Sequence, residues 1–165
     1  MAHFRSLTVF YPMWNEEETI ERAVEAAFEA CDGLVLAGEI DEYDNRKLGG
    51  SIKTGLANAK GELVLYTDAD LPFDMAEVAK AVRLLRIYEA DIVSAYRFDR
   101  TGEGVRRLIY SYVYNQLVQT MFGLRLRDMN FAFKLVRRNI FEHIELQSEG
   151  SFIDVELLAR AQRLG

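Results

Sequence analysis

Two carboxylates stand two residues apart immediately after an apolar run in the middle of the chain. The run Glu62 to Tyr66 is short and rich in β-formers, which predicts a buried strand; Asp68 and Asp70 follow it with only Ala69 between them. Ligands bind at the carboxyl ends of strands in open α/β sheets. Adjacent carboxylates repel each other unless a cation lies between them, and Mg²⁺ or Mn²⁺ carrying a phosphate meets that need. A solvated aspartate turn that starts a helix explains the same residues equally well.

Hydrophobic periodicity predicts the elements that must position these residues. Three strands alternate with three helices, which indicates a mainly parallel α/β sheet with helices on its faces. Asn15 caps the first helix, and Glu18 completes a capping box. The predicted strands are Leu7 to Tyr11, Glu62 to Tyr66, Ala90 to Tyr96 and Phe131 to Val136, and the later helices are Ser51 to Lys60, one from Asp74, Arg106 to Gly123 and Ile153 to Leu164.

Composition bounds the class of protein. The chain has 165 residues, half of them apolar, which favours one domain with a real core. It has one cysteine, Cys31, so no internal disulfide can form; a reducing cytosol fits best. Because neither a signal peptide nor an apolar run of about 18 residues is visible, we expect any contact with a membrane to be peripheral, at the cytoplasmic face.

Charge is unevenly distributed along the chain. The net charge is −6, yet residues 1–44 carry −9 and residues 97–138 carry +6. Arginine outnumbers lysine, and arginine suits bidentate binding of phosphate. The second stretch is therefore typical of an anion site, whereas the overall acidity argues against nucleic acid as a partner. Gly49 and Gly50, before the second predicted helix, either let the backbone approach a phosphate or serve as plain turn residues.

The helix Arg106 to Gly123 carries an unusually broad apolar face inside the basic stretch. Packing against the sheet is the simpler interpretation, because an amphipathic helix usually faces a core. The alternative is a helix that lies at a membrane surface.

Five motifs in order resemble the family 2 glycosyltransferases of the GT-A fold. They are P-x-W-N-E-E-E-T-I after the first strand, N-x-x-x-G-G-S-I-x-x-G-L-x-x-A-x-G-E, D-A-D-L, R-D-M-N-F-A-F-K and F-I-D-V-E-L-L-A-R-A. The last two are similar to the polyprenol-phosphate sugar transferase branch, which includes dolichol-phosphate mannosyltransferase. The resemblance spans nearly the whole chain.

This resemblance implies an inverting, metal-dependent transfer of a sugar from a UDP- or GDP-linked donor to a dolichyl or undecaprenyl phosphate. A phosphate acceptor is already a nucleophile at neutral pH, so a dedicated general base is not required. The implied metal ligands are Asp68 and Asp70, and the implied catalytic residues are Asp70 and Asp128, with Asp128 or Asp154 able to serve for positioning alone. The candidates for the donor are Pro12, Asn15, Glu16, Gly49, Asp68 and Ala69, and those for the acceptor are Arg97, Arg106, Arg107, Arg127 and Lys134.

The chain departs from the family pattern at four places. A strand ending in V-D-D-G-S, expected after Asp44, is absent, and a further strand is expected beyond Gly165. Pro72 stands where some relatives place a polar side chain, and Ala132 replaces a glycine. We expect the protein to contain these segments although this sequence omits them, because deleting a central strand would expose sheet edges.

Other functions fit the sequence less well. A sugar-nucleotide pyrophosphorylase needs a glycine-rich loop after its first strand, where this chain has Pro12-Met13-Trp14-Asn15. A haloacid-dehalogenase-type phosphatase normally carries D-x-D on its first strand. Transfer to a hydroxyl acceptor and non-catalytic binding of a nucleotide sugar or lipid phosphate stay open.

Overall fold

The computed structural model describes residues 4–13, 17–30, 47–96, 104–124, 128 and 131–164. Cys31 and the predicted helix cap Asn15 lie outside these residues. The described part of the chain contains one four-stranded sheet with helices on its two faces. This arrangement confirms the predicted α/β class.

The sheet has the strand order β1–β2–β4–β3. Strand β1 (Leu7–Phe10) pairs in parallel with β2 (Leu63–Thr67), and β4 (Phe133–Arg137) pairs antiparallel with both β2 and β3 (Ile92–Ser94). Three strands therefore run in one direction and β4 opposes them, so the sheet is mixed. An apolar run predicts burial of a strand but not its direction, which is why the sequence analysis did not locate this reversal.

Five α-helices are present in the described part of the chain, with a short 3₁₀-helix before the last one. Helix α2 begins four residues before the predicted Ser51, and α3 begins three residues after the predicted Asp74. The Asp74 carboxylate accepts a hydrogen bond from the N–H of Ala76 at 2.9 Å in a turn that precedes α3. The helices are α1 (Glu17–Ala30), α2 (Lys47–Asn58), α3 (Glu77–Ile87), α4 (Val105–Phe122), the 3₁₀-helix (Arg138–Glu142) and α5 (Ile153–Gln162).

Alternation of side chains across the sheet divides the core into two clusters, because successive residues of a strand face opposite sides. On one face the strands pack with α1 and α3, and on the other with α2 and α5. The first cluster includes Ala27, Leu63, Leu65, Val78, Leu85, Phe133 and Leu135, and the second includes Ile52, Leu56, Val64, Tyr66, Val136, Ile153 and Leu157.

Strand β1 lies at one edge of the sheet. Within the described residues it pairs with β2 alone. The four described strands are contiguous, so the departure from the family pattern after Asp44 leaves no gap among them. Asp44 itself lies outside the described residues.

Candidate active site

The carboxylates of Asp68 and Asp70 lie at the carboxyl end of β2, as the sequence predicts. Both residues are exposed, whereas Ala69 between them is fully buried and anchors the turn. The turn closes through a hydrogen bond from the N–H of Leu71 to the carbonyl of Asp68 at 3.2 Å. Leu71 has a φ of 50°, a conformation that costs energy for a residue with a branched side chain. The backbone thus holds two carboxylates at the sheet edge in a turn under strain.

The electrostatics of this turn favour a cation. The pKa of Asp68 is raised above its usual value, first by partial burial of the carboxyl group and then by the Asp70 and Asp154 carboxylates. The ammonium group of Lys134 has the opposite, smaller effect. Within the described residues, no group of three His, Cys, Asp or Glu side chains could hold a metal ion. The pair fits a magnesium-like ion, which commonly uses one or two carboxylates and completes its shell with water and substrate phosphates.

A buried polar network lies on the same sheet face as Asp68. Tyr66 and Lys134 are cross-strand neighbours on β2 and β4. The Tyr66 hydroxyl donates to Oδ1 of Asp154 on α5, and Nζ of Lys134 lies 3.6 Å from the same oxygen. Nζ of Lys134 also donates to the carbonyl of Phe131. The network joins β2, β4 and α5 directly beneath the candidate metal ligands.

Burial controls the ionisation of this network. Lys134 is fully buried and Asp154 is 9% exposed. Burial lowers the pKa of Lys134, and the Asp154 and Asp128 carboxylates oppose that shift. Burial and the Asp154 carboxylate raise the pKa of Tyr66 well above its usual value, so this hydroxyl stays protonated and can donate. Lys134 therefore serves as an internal counter-ion to Asp154.

The remaining predicted acceptor residues are only partly described. Arg106 is exposed in the first turn of α4. Arg97 and Arg127 lie outside the described residues, as does the side chain of Arg107. Lys134, which was predicted to bind the acceptor, has its ammonium group inside the protein, as described above. Contact between Lys134 and a substrate stays a prediction.

The structure describes only part of the predicted donor site. Pro12 follows β1 at its carboxyl end and is partly buried, while Asn15 and Glu16 lie outside the described residues. Gly49 is in the first turn of α2, not in a loop before it, and its N–H donates to the carbonyl of Glu149 at 3.0 Å. This backbone packing alone accounts for a glycine at position 49. Binding of a phosphate at Gly49 stays a prediction.

The second predicted catalytic residue, Asp128, is 5% exposed and makes an interaction within the protein. A buried, partnered carboxylate is more suited to positioning than to proton transfer with a substrate in solution. Its catalytic role stays a prediction.

Helix α4 turns most of its apolar surface outward. Val118 is its single fully buried apolar residue among those described, and it packs on α5. The helix ends at Gly123, whose φ of 69° is the left-handed conformation common after a helix. The simpler prediction was packing of the helix against the sheet, whereas the structure packs a narrow part of α4 on α5. The exposed apolar residues are Val105, Ile109, Tyr110, Tyr112, Val113, Leu117 and Met121, and together they form the α4 apolar face.

Tyr66 and Glu156 make buried contacts that the sequence motifs do not predict. Tyr66 was assigned to a buried strand, although its position two residues before Asp68 places both side chains on one sheet face. Glu156 lies in the apolar run of α5, where an acidic residue is unusual and signals a partnered carboxylate. Both signals were present in the sequence.

A strand-end carboxylate pair on an α/β sheet flanked by helices agrees with the family that the five motifs resemble. Residues 8–145 match the family described as glycosyl transferase family 2, and the chain belongs to this family. The resemblance inferred from the five motifs is thereby confirmed. Within the described residues, no helix is both long enough and apolar enough to cross a membrane.

Two of three curated relatives carry names that specify a polyprenyl phosphate. The chain is 28% identical to glycosyltransferase AglD of Haloferax volcanii, over 96% of this chain and 31% of AglD. It is 27% identical to dodecaprenyl-phosphate galacturonate synthase of Rhizobium johnstonii, over 60% of this chain and 29% of that protein. It is 25% identical to undecaprenyl-phosphate 4-deoxy-4-formamido-L-arabinose transferase of Erwinia tasmaniensis, over 84% of this chain and 51% of that protein. The chain thus spans about a third to a half of these relatives.

A solved structure supports the fold. Glucosyl-3-phosphoglycerate synthase from Mycobacterium tuberculosis, crystallised with UDP, superposes with a TM-score of 0.68 and 22% identity, covering 98% of this chain and 67% of that one. At this identity the likeness establishes the GT-A-like fold alone. The match with AglD extends over 194 positions, more than this chain contains, so AglD has residues within the matched region that have no counterpart here.

Proposed function

We propose that this protein transfers a sugar from a nucleotide-sugar donor to a polyprenyl phosphate. The observation that carries the proposal is the Asp68–Asp70 pair at the carboxyl end of β2, in a chain of glycosyl transferase family 2. The names of two relatives, which specify dodecaprenyl and undecaprenyl phosphate, support the acceptor class. Within the cell, we propose a position at the cytoplasmic face of a membrane.

The donor would bind at the carboxyl edge of β1 and β2. Asp68 and Asp70 would hold a magnesium or manganese ion together with the donor diphosphate, and the ion would supply charge neutralisation for the leaving group. Ala69 keeps the two carboxylates in their turn, and Pro12, Asn15 and Glu16 would line the nucleotide side. The nucleotide is UDP or GDP by resemblance.

The acceptor would bind beside α4. A polyprenyl phosphate has an anionic head and a long apolar tail, and α4 presents exposed Arg106 in its first turn together with the α4 apolar face. We propose that Arg106, with Arg97, Arg107 and Arg127, holds the phosphate while the apolar face guides the tail at the membrane surface. The excess positive charge of residues 97–138 in an acidic protein supports this assignment.

Transfer would need no dedicated general base. A phosphate oxygen of the acceptor would attack the anomeric carbon, the bond from that carbon to the donor diphosphate would break, and the nucleoside diphosphate would leave with inversion. The protein contributes orientation of both substrates and exclusion of competing water. Asp128 and Asp154, both buried, would position the neighbouring strands and not carry protons.

A comparison of two soluble acceptors tests the proposal. The protein is incubated with labelled UDP-glucose or GDP-mannose, a divalent ion, and either farnesyl phosphate or farnesol. We expect sugar transfer to farnesyl phosphate and none to farnesol. Transfer to farnesol would establish a hydroxyl acceptor. Tight nucleotide-sugar binding without any product would establish a binding module. Either of these outcomes would overturn the proposal.

Arginine variants separate a binding role from a structural one. Arg106→Ala should raise the KM for farnesyl phosphate by roughly one to two decades, since a charge-assisted contact to phosphate is worth about 1.5–3 kcal/mol. The matched control is Arg83→Ala on α3, where an exposed arginine is removed far from α4. Equal effects of the two variants would show that general charge, not a specific contact, governs acceptor binding.

A further inference from the structure

A buried carboxylate on α5 fixes the loop that precedes that helix. Both carboxylate oxygens of Glu156 accept from the N–H of Gln147 at 3.0 Å, and Oε2 accepts from the N–H of Ser148 at 2.7 Å. Nε of Arg160 donates to Oε1 at 2.8 Å. Although burial alone would raise the pKa of Glu156, these donors hold it at about 2. The carboxylate is therefore charged and saturated with hydrogen bonds.

The other side of this loop is packed against the first turn of α2. The N–H of Gly49 donates to the carbonyl of Glu149 at 3.0 Å, which satisfies one of the donors that a helix start leaves unpaired. A Cβ atom on Gly49 would lie 2.5 Å from the carbonyl oxygen of Ser148 and from the carbonyl carbon of Glu149. Nζ of Lys53 also donates to the carbonyl of Gln147 at 3.4 Å. Residues 147–149 thus connect α5 to α2 through close backbone contact.

The start of α2 lies at the edge of the sheet where Asp68 and Asp70 stand. Helix α2 leads into β2 after four residues and runs back along the sheet, so its first turn is at the carboxyl edge of β2. Gly55, farther along α2, contacts the ring of Phe10 at the carboxyl end of β1. The ring of Phe10 stacks on Tyr66 with centroids 5.7 Å apart. The helix start, with its positive dipole end, therefore lies at the same edge of the sheet as the proposed donor site.

We propose that Glu156 is a positioning residue for the donor, because through residues 147–149 it fixes the first turn of α2 at the sheet edge that carries the carboxylate pair. This inference rests on the proposed function, which places the donor diphosphate at that edge. Removing the carboxylate releases two backbone N–H groups, lets the loop move and frees the α2 start to shift. A misplacement of about 1 Å at a reacting centre can cost up to about 10² in rate.

The test compares two substitutions that disturb the same contact from opposite sides. Glu156→Gln removes the charge but keeps the shape, and Gly49→Ala forces a Cβ into the backbone of residues 148–149. We expect each to raise the KM for the nucleotide sugar at least roughly tenfold, with the KM for farnesyl phosphate unchanged. The double variant should be little worse than either single one, because both break one coupling. Glu156→Asp, which keeps the charge on a shorter stem, should recover part of the donor affinity.

Direct titration of the nucleotide separates this inference from the proposed function. The affinity for UDP or GDP with Mg²⁺ is measured by calorimetry on folded protein, with Glu77→Gln on α3 as the matched control for loss of an exposed carboxylate. Weaker nucleotide binding by Glu156→Gln, with the control at wild-type affinity, supports the inference even if no transfer to a lipid phosphate is found. A lower thermal midpoint with unchanged nucleotide affinity would overturn it and would leave the proposed function untouched.

Discussion

Substitution of Lys134 by methionine tests whether this residue is an internal counter-ion or a contact to substrate. Lys134 is fully buried, and its ammonium group lies 3.6 Å from Asp154, which has only 9% of its surface exposed. Methionine keeps most of the side-chain volume but leaves the Asp154 carboxylate with the Tyr66 hydroxyl alone. Breaking one partner of a buried pair costs about 3–5 kcal/mol, so we expect the free energy of unfolding to fall by that amount.

The double variant Lys134→Met/Asp154→Asn should recover much of this loss. It removes both charges while the asparagine oxygen still accepts from Tyr66, and replacing a whole buried pair is often close to neutral. Urea unfolding near neutral pH, followed by circular dichroism, measures the free energy of unfolding of wild type, of the two single variants and of the double variant. Lys80→Met is the matched control, because its partner Glu77 is exposed and such pairs contribute at most about 1 kcal/mol.

A stable Lys134→Met protein would show that Lys134 is not an internal counter-ion of Asp154. If that variant loses less than about 1 kcal/mol and instead shows a raised acceptor KM, then Lys134 reaches the substrate. Additive effects of the two substitutions would likewise show that Lys134 and Asp154 do not form one buried unit.

Three further predictions concern the Asp68–Asp70 pair, Glu156 on α5 and the α4 apolar face. Asp70→Asn should abolish sugar transfer and Asp68→Asn should cripple it, with thermal midpoints unchanged, because both side chains are exposed. The pKa of Glu156 in the folded protein is about 2, below its ordinary value. Its carboxylate should therefore contribute up to about 3 kcal/mol to the free energy of unfolding above pH ~4.5, and this contribution should be lost as the pH falls towards 2. Urea unfolding of wild type and Glu156→Gln across that pH range measures the contribution. Ile109→Glu and Leu117→Glu should lower the bound fraction in sedimentation with phosphatidylglycerol vesicles, since a charge on an apolar face opposes insertion.

Each of these three predictions has a matched control and a contradicting result. Glu77→Gln controls for the loss of an acidic side chain, and wild-type turnover by both aspartate variants, or turnover in excess chelator, would exclude the metal site. A stability difference between wild type and Glu156→Gln that does not change with pH would contradict the predicted stabilisation by the charged Glu156 carboxylate. Tyr88→Glu, at another exposed apolar residue, controls for surface charge, and equal vesicle binding by all variants would contradict the membrane role of α4.

Much of the fold could be predicted because buried strands and amphipathic helices leave strong periodic patterns. Strand β2 and helix α4 match their predicted positions to within one residue. The orientation of β4 could not be predicted, since a short apolar run looks the same in either direction. The start of α2 was also missed, because Gly49 and Gly50 are typical turn residues and only the close approach of Ser148 and Glu149 explains a glycine inside the helix.

The candidate site was predictable where chemistry is local in sequence. Asp68 and Asp70 stand together in the chain and were found from spacing alone. The network of Tyr66, Lys134 and Asp154 joins residues as far as 88 positions apart, and no local pattern predicts such a pairing. The family resemblance predicts that Lys134 binds the acceptor; the structure places its ammonium group 3.6 Å from Asp154, and contact with a substrate stays a prediction.

Mass spectrometry of the product tests whether the chain makes a lipid-linked sugar. The protein is incubated with undecaprenyl phosphate, a panel of UDP- and GDP-linked sugars and Mg²⁺ or Mn²⁺. The lipid fraction is then extracted, and the masses of its components are measured. We expect a product that is heavier than undecaprenyl phosphate by one sugar residue, present with wild type and with Glu77→Gln but absent with Asp70→Asn. An unchanged lipid together with the sugar on another acceptor, or the same product from Asp70→Asn, would contradict it.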